Sequence, residues 1–264
     1  MARLENRRGF AKEILLVLVG GGLGALVGWR IAAPPSGDFP EVARRVSESV
    51  VLVWYQDDSG WSNYGTAFAV DGEGHFLTCA HVVPGRLSVT VAVPSPGGEV
   101  NHRARVVAVN PDIDAAILQV EDLRLPPLVF GSSREAVVGE EVAITGFPLG
   151  YTVNADLTPS LAAGHVAALP EWRAGENGPR IPMIQVDASV ALGQSGSPLF
   201  RRRTGVVLGM MKSHIRVPGL VESREDVLGA IEAIPEEIVD QAGIGLALPA
   251  DELRRFLAEN GIGS

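Results

Sequence analysis

The sequence has almost no cysteine, since Cys79 is the only one in 264 residues. A single thiol excludes an internal disulfide framework and every metal motif built from several cysteines. The chain also lacks a basic stripe interleaved with aromatic residues, and its 31 acidic against 22 basic residues give a formal net charge of -9. An acidic chain repels a phosphate backbone, which argues against nucleic-acid binding. The hydrophobic content of 46% is typical of a globular protein with a sizeable core.

One long hydrophobic run lies near the N-terminus. Residues 14–29 carry no charge, and with a snorkelling Arg30 the apolar stretch reaches residue 33, long enough to cross a bilayer. Because the basic segment 1–13 precedes it, we expect a cytoplasmic N-terminus, a transmembrane anchor over 14–33, a linker over 34–40 and an extracytoplasmic body. Two alternatives stay open: a cleaved signal peptide, which would make the protein secreted, and a buried helix in a cytosolic protein.

The sequence after the linker predicts many short strands separated by Gly, Pro, Asp and Asn. Runs rich in Val, Ile and Leu span residues 49–55, 65–70, 74–80, 87–93, 103–110, 115–120, 140–147, 165–169, 182–188 and 206–211. This spacing is typical of an antiparallel sandwich or barrel. Helical periodicity is limited to residues 41–48, 224–241 and an amphipathic segment that begins at Pro249.

Three short motifs in this body carry residues suited to acyl transfer. They are Thr-Cys-Ala-His at 78–81, Asp-Ile-Asp-Ala-Ala-Ile-Leu at 112–118 and Gly-Gln-Ser-Gly-Ser-Pro-Leu at 193–199. A serine hydroxyl becomes a nucleophile when an imidazole takes its proton, and a carboxylate orients that imidazole. Gly193 lets its own N–H and that of Ser195 point to one place, where an oxyanion would form. Each motif alone has an ordinary structural explanation, so their combination and surroundings carry the hypothesis.

At these residues the chain resembles the trypsin-like, chymotrypsin-fold serine proteases, specifically the HtrA type. The likeness covers about residues 40–258. Matching blocks are SESVVLVW, GTAFAVDGEGHFLTCAHVV, DAAILQV, LPPLVFGSSREAVVGEEVAITGFPLG, QVDASVALGQSGSPLF and GIGLALPADELRRFL, in the family's order. The resemblance implies an all-β domain over 41–258 with two six-stranded antiparallel barrels, at about 46–125 and 136–250, a C-terminal helix and a tail at 259–264.

The resemblance also implies roles for individual residues. His81 would be the general base, Asp114 its orienting acid and Ser195 the nucleophile, with the backbone amides of Gly193 and Ser195 as the oxyanion hole. Asp112 stays open as an alternative to Asp114.

The chain departs from the family pattern at Gln194 and Ser197. A Ser-Gly-Ser-Pro variant also occurs in glutamyl endopeptidases, but their specificity histidine is matched here by Met211, so we expect no preference for acidic side chains. Met210, Met211 and Lys212 are the predicted specificity-pocket residues, and the methionines favour small or medium apolar substrate side chains.

An acidic insertion over about 212–242 follows this strand. It is interpreted as a solvated surface helix, with a lid or partner surface as the alternative, and His214 as loop surface. No PDZ domain is expected within the sequence, and a homo-oligomer is possible without an identifiable interface.

The sequence thus predicts a membrane-anchored serine endopeptidase that cleaves unfolded or misplaced polypeptides, with no cofactor and no metal. Two other functions remain open: a catalytically idle or latent domain that binds peptides or acts as a scaffold, and a serine hydrolase acting on esters.

Overall fold

A computed structural model describes residues 37–60, 62–150, 157–173, 180–212 and 245–263. It begins with helix α1 (Phe39–Ser47), which has a proline in its first turn and buries Val42, Ala43 and Val46. Proline suits the first turn because the N–H it lacks has no helical partner there. The predicted anchor over 14–33 and the predicted helix over 224–241 lie outside the described residues. Within the described part, no helix is long and apolar enough to cross a membrane.

Six antiparallel strands close the first barrel in the order β1-β2-β3-β6-β5-β4. The strands are β1 (Val50–Gln56), β2 (Ser62–Ala69), β3 (His75–Thr78), β4 (Ser88–Ser95), β5 (Gly98–Asn110) and β6 (Ala115–Gln119). Strands β1 and β2 pair over their full length, from Val50 opposite Phe68 to Gln56 opposite Ser62. Closure leaves no unpaired sheet edge within this barrel.

The second barrel has the order β7-β8-β11-β14-β13-β12. Its strands are β7 (Glu141–Gly146), β8 (Ser160–Ala168), β11 (Ile184–Val186), β12 (Pro198–Arg201), β13 (Val207–Lys212) and β14 (Gly245–Pro249), while β9 (Glu171–Arg173) and β10 (Arg180–Pro182) form a separate hairpin. Helix α2 (Ala250–Glu259) follows β14 directly and buries Leu253, Phe256 and Leu257. The predicted architecture of two six-stranded antiparallel barrels and a C-terminal helix is confirmed.

A hydrophobic core joins the two barrels. Phe68, Phe76 and Leu77 of the first barrel belong to the same cluster of buried side chains as Phe200 and Met210 of the second. Their burial follows from sequence, since apolar residues dominate the strands that face this cluster. The shared core fixes the end of β3 and the start of β6 relative to the turn before β12, and these three places carry the motifs singled out above.

Candidate active site

Ser195 lies in a tight turn that precedes β12. Gly193 and Gly196 flank it and both have φ near +90°, at +89° and +88°. A Cβ at Gly193 would lie 2.4 Å from the Phe147 carbonyl oxygen, and one at Gly196 would lie 2.0 Å from the Thr66 carbonyl oxygen. Both positions therefore require glycine for conformation and for space. The turn holds Ser195 with only 3% of its surface exposed.

His81 and Asp114 come from the first barrel. His81 lies in a short 3-10 turn (Ala80–Val82) just after β3, and Asp114 directly precedes β6. Asp114 has a left-handed backbone conformation with φ +58°, which aspartate tolerates better than most residues. Because β3 pairs with β6, with Thr78 opposite Ala116, the two loops meet at one end of the barrel.

The three side chains form a continuous line of hydrogen bonds. Ser195 Oγ lies 2.8 Å from His81 Nε2, and His81 Nδ1 lies 2.9 Å from Asp114 Oδ2. The backbone N–H of His81 donates to Asp114 Oδ1 at 3.0 Å, which fixes the carboxylate from a second direction. A carboxylate partner at Nδ1 favours the tautomer with its proton there, leaving Nε2 to accept from the serine hydroxyl. Asp112, the alternative acid, is exposed, and Asp114 occupies the place beside His81.

The carbonyl groups of Leu192 and Gln194, which precede Gly193 and Ser195, both accept hydrogen bonds from backbone N–H groups. Leu192 oxygen accepts from Leu149 N–H at 2.6 Å, and Gln194 oxygen accepts from Ser197 N–H at 3.0 Å. In a trans peptide the following N–H points the opposite way, so the N–H groups of Gly193 and Ser195 project away from those acceptors. Gln194 also closes its own turn, because its Oε1 accepts from Ala191 N–H at 2.8 Å.

Thr66, a fully buried residue on β2, connects the first barrel to this turn. Its hydroxyl donates to Gly193 oxygen at 2.8 Å and accepts from Phe147 N–H at 3.1 Å, and its own N–H donates to Ser195 oxygen at 2.8 Å. Three bonds from one residue thus fix the serine turn from across the barrel boundary. Sequence reasoning missed this residue; the only available signal was a hydroxyl within the otherwise apolar run Gly-Thr-Ala-Phe-Ala.

Electrostatics favour an ionised carboxylate at Asp114. Burial raises the pKa of Asp114, but the hydrogen bonds and charge of His81 and the charge of Lys212 outweigh it, so the net pKa lies below the ordinary value. The Cys79 thiol is completely buried and donates to Met211 oxygen at 3.2 Å. Burial, together with the Asp114 charge, raises the pKa of Cys79 well above its ordinary value, which keeps the thiol protonated and unreactive.

Two groups of side chains have metal-compatible spacing among the described residues. One is Cys79 with His81 and Asp114, and the other is Asp71, Glu73 and His75 in the turn between β2 and β3. In the first, the protonated thiol is a poor ligand, since metals bind the thiolate. In the second, Asp71 already accepts from His75 Nδ1 at 2.5 Å and from the Glu73 N–H at 2.8 Å.

The predicted specificity residues lie on neighbouring positions of β13 but face different surroundings. Met210 is fully buried in the core shared by the barrels, and Met211 is fully buried in the second barrel's own cluster with Val186 and Ala188. Lys212 reaches the site itself, with Nζ 3.5 Å from Asp114 Oδ2. His214 and the acidic insertion lie outside the described residues.

Comparisons with known proteins concern the family and the fold. Residues 65–210 match the trypsin-like peptidase domain family. The chain is 33% identical over 146 residues to a probable periplasmic serine endoprotease DegP-like of Halomonas elongata, covering 55% of this chain and 28% of that one. It is 27% identical over 264 residues to the mitochondrial serine protease HTRA2 of Bos taurus, covering 94% of this chain and 50% of that protein.

The fold is likewise similar to a solved structure, the HtrA-type protease AlgW with tripeptide. The TM-score is 0.64 at 24% sequence identity, over 85% of this chain and 65% of the other. The chain therefore belongs to the trypsin-like peptidases. The chain resembles relatives that are named as a DegP-like serine endoprotease and as HTRA2. It spans 28% and 50% of the length of the two curated relatives described above.

Proposed function

We propose that this chain is a serine endopeptidase that hydrolyses peptide bonds in unfolded or misplaced proteins through an acyl-enzyme. The observation that carries the proposal is the line of hydrogen bonds from Ser195 Oγ through His81 to Asp114, at 2.8 and 2.9 Å. Membership of the trypsin-like peptidase family and relatives named as serine endoproteases support it.

In the proposed mechanism Ser195 Oγ attacks the scissile carbonyl carbon while its proton passes to His81 Nε2. Asp114 stabilises the resulting imidazolium and keeps the ring oriented. The oxyanion accepts hydrogen bonds from the N–H groups of Gly193 and Ser195, each worth about 2.7–4 kcal/mol in the transition state. His81 then gives the proton to the leaving amine, and a water molecule, activated by the same ring, hydrolyses the acyl-enzyme.

We propose that Met210, Met211 and Lys212 contribute to the region that binds the residue before the scissile bond. The surroundings of Met211 are the observation that bears on this role. A Cβ at Gly245 would lie 2.6 Å from Met211 Cε and 2.6 Å from Val190 Cγ2. Met211 therefore packs directly against Gly245 and Val190, and the apolar character of the two methionines favours small or medium apolar substrate side chains.

The proposed location is the extracytoplasmic side of a membrane. The charge pattern of residues 1–33 favours a single-pass anchor with a cytoplasmic N-terminus, and relatives named as periplasmic work outside the cytoplasm. Carbonate extraction of membranes that contain the expressed full chain tests this location. A full-length protein that stays in the membrane fraction supports an anchor, whereas a shortened protein that is released supports a cleaved signal.

Digestion of unfolded casein tests the activity, with small-ester turnover measured in parallel. The proposal predicts casein fragments from the wild type and none from Ser195→Ala or His81→Ala. Ser197→Ala is the matched control, because it removes a neighbouring buried hydroxyl that touches neither His81 nor Asp114, and it is expected to retain digestion. Ester turnover without casein cleavage would favour an esterase. If the folded wild type shows neither activity, the result would favour an idle or latent binding domain.

A further inference from the structure

Lys212 at the end of β13 lies against the acid of the triad. Its Nζ is 3.5 Å from Asp114 Oδ2 and 4.8 Å from the centre of the Trp172 ring. The lysine side chain is 14% exposed and the aspartate side chain is 17% exposed, so water screens this ion pair only in part.

Lysine is rare in this protein, because only Lys12 and Lys212 occur among its 22 basic residues. An ammonium is a compact point charge, whereas a guanidinium is a broad planar fork. The Lys212 ammonium contacts both an indole ring and a carboxylate. A cation over an aromatic face gains a further attraction that holds it in place.

Four titratable groups meet at this point within the described residues. His81 faces Asp114 from the 3-10 turn, Cys79 lies at the end of β3, and Lys212 approaches from the second barrel. Cys79 is a neutral thiol, so the charges that act on the imidazole ring are the Asp114 carboxylate and the Lys212 ammonium.

We propose that Lys212 is a positioning residue of the triad: its ammonium, which contacts both the Trp172 ring and Asp114, fixes the carboxylate toward His81 and acts on the imidazole ring across that carboxylate. The catalytic part of this inference rests on the proposed function. The electrostatic part depends only on the arrangement of the charges.

The expected size follows from distance. Lys212 Nζ lies 3.5 Å from Asp114 Oδ2, the oxygen that lies 2.9 Å from His81 Nδ1, so even full aqueous screening leaves at least about a threefold change in the proton affinity of the ring, or about 0.5 pH unit. The sign is fixed, because a cation disfavours a second cation beside it. Removing the charge should therefore make the ring accept a proton at higher pH.

A nuclear magnetic resonance titration of the histidine rings in the full chain tests this without requiring activity. His81 is assigned by comparison with His81→Ala. The variants are Lys212→Met, which keeps the length and removes the charge, and Lys212→Arg, which keeps the charge. Arg255→Met is the matched control, because it removes one cation from an exposed ion pair on α2.

The inference predicts that the His81 titration midpoint rises by at least about 0.5 pH unit in Lys212→Met and stays near the wild-type value in Lys212→Arg and Arg255→Met. The acid limb of kcat/KM for casein should move upward by the same amount. An unchanged midpoint in a folded Lys212→Met, even with a lower kcat or melting temperature, would overturn the inference. A shifted midpoint in a chain that cleaves nothing would instead leave the inference standing and count against the proposed function.

Discussion

At the residue scale, Asp114 combines an unusual backbone with several interactions at its carboxylate. Its φ of +58° turns the carboxylate toward His81 rather than toward solvent, and the backbone N–H of His81 holds one oxygen while the ring holds the other. A non-glycine residue in this region costs free energy, which the surrounding interactions must offset. The residue therefore links local conformation to the orientation of the imidazole.

Replacing Asp114 with Asn should lower kcat for peptide cleavage by about 10³- to 10⁴-fold, because the amide favours the wrong tautomer of His81. The measurement is kcat on a chromogenic peptide near neutral pH. Asp112→Asn is the control, since that side chain is exposed, and it should keep full activity. Equal losses in both variants would contradict the assignment of the acid.

The same variant should change how stability depends on pH. Because the pKa of Asp114 is lower in the folded protein than in the unfolded chain, ionisation favours the fold above the ordinary carboxyl pKa of about 3.9, and this contribution disappears as the pH falls through the lower folded value. Urea unfolding of wild type should therefore show a larger loss of free energy below about pH 4 than Asp114→Asn. Parallel curves for the two proteins would contradict the lowered pKa.

Thr66→Val should weaken both the fold and the reaction. Valine keeps the shape but leaves Gly193 oxygen and Phe147 N–H without their hydroxyl partner, a loss of about 1–3 kcal/mol in the free energy of unfolding. Since the serine turn loses one of its ties, fluorophosphonate labelling should also slow. Thr90→Val on β4 is the control. Labelling at the wild-type rate in Thr66→Val would contradict the conclusion that the Thr66 hydroxyl helps to hold the serine turn.

Sequence analysis predicted that His81, Asp114 and Ser195 act together, and the structure brings these side chains within hydrogen-bond distance, but it predicted neither the Thr66 contacts nor the Lys212 ion pair. The triad was recognisable because each member lies in a local motif whose order matches a known family. Thr66 and Gly193 are 127 positions apart, so their bond depends on how the two barrels dock. No local pattern records such a contact.

At the element scale, predictability followed strand length and apolar content. All ten predicted apolar runs overlap strands of the structure. Strands β9, β12 and β14 were absent from that set of runs, and β10 shares only Pro182 with one of them, because three to five residues give too few positions to show a period. Strand β5 extends to Gly98, beyond its predicted start at residue 103, because pairing with β4 recruits a polar segment.

The end of β7 and the start of β12 approach so closely that only glycine fits at position 146. A Cβ there would lie 2.0 Å from Ser197 Oγ and 2.8 Å from Thr66 Oγ1. Ser197 Oγ is buried and has no hydrogen-bond partner among the residues that the structure describes. The hydroxyl fills the space beside Gly146 while its polar atom stays unsatisfied.

Ser197→Ala should therefore stabilise the protein by about 1 kcal/mol, whereas Gly146→Ala should destabilise it by about 1–3 kcal/mol. The double variant should lose less than the two single effects predict, because the alanine at 197 removes the closest clash. Urea unfolding measures all three, and Gly72→Ala, which has open space around it, is the control. Strict additivity would contradict the proposed contact.

At the scale of the whole molecule, side chains of both barrels meet in one of the two hydrophobic clusters formed by the described residues. The cluster that contains Phe68 and Phe76 also contains Phe200, Val207 and Leu248. The residues of the proposed triad divide in the same way, with His81 and Asp114 on the first barrel and Ser195 on the second. Assembly of the site therefore depends on docking of the barrels, and the shared core supplies that docking.

We expect the barrels to unfold together. Phe68→Ala should lower the free energy of unfolding by about 3–5 kcal/mol, and it should reduce hydrogen-exchange protection in β7 and β12 of the other barrel as well as in the first. Leu87→Ala is the control, because that side chain is 86% exposed. Loss of protection confined to the first barrel would indicate two independent folding units.

The most direct test of the central claim is the site at which a fluorophosphonate becomes attached to the purified full chain. The account predicts one adduct per chain, located by peptide mass spectrometry at Ser195, and no adduct in Ser195→Ala or His81→Ala. An adduct at another serine, or no adduct in a folded wild type across the neutral and alkaline pH range, would contradict the claim that Ser195, His81 and Asp114 work as a nucleophilic triad.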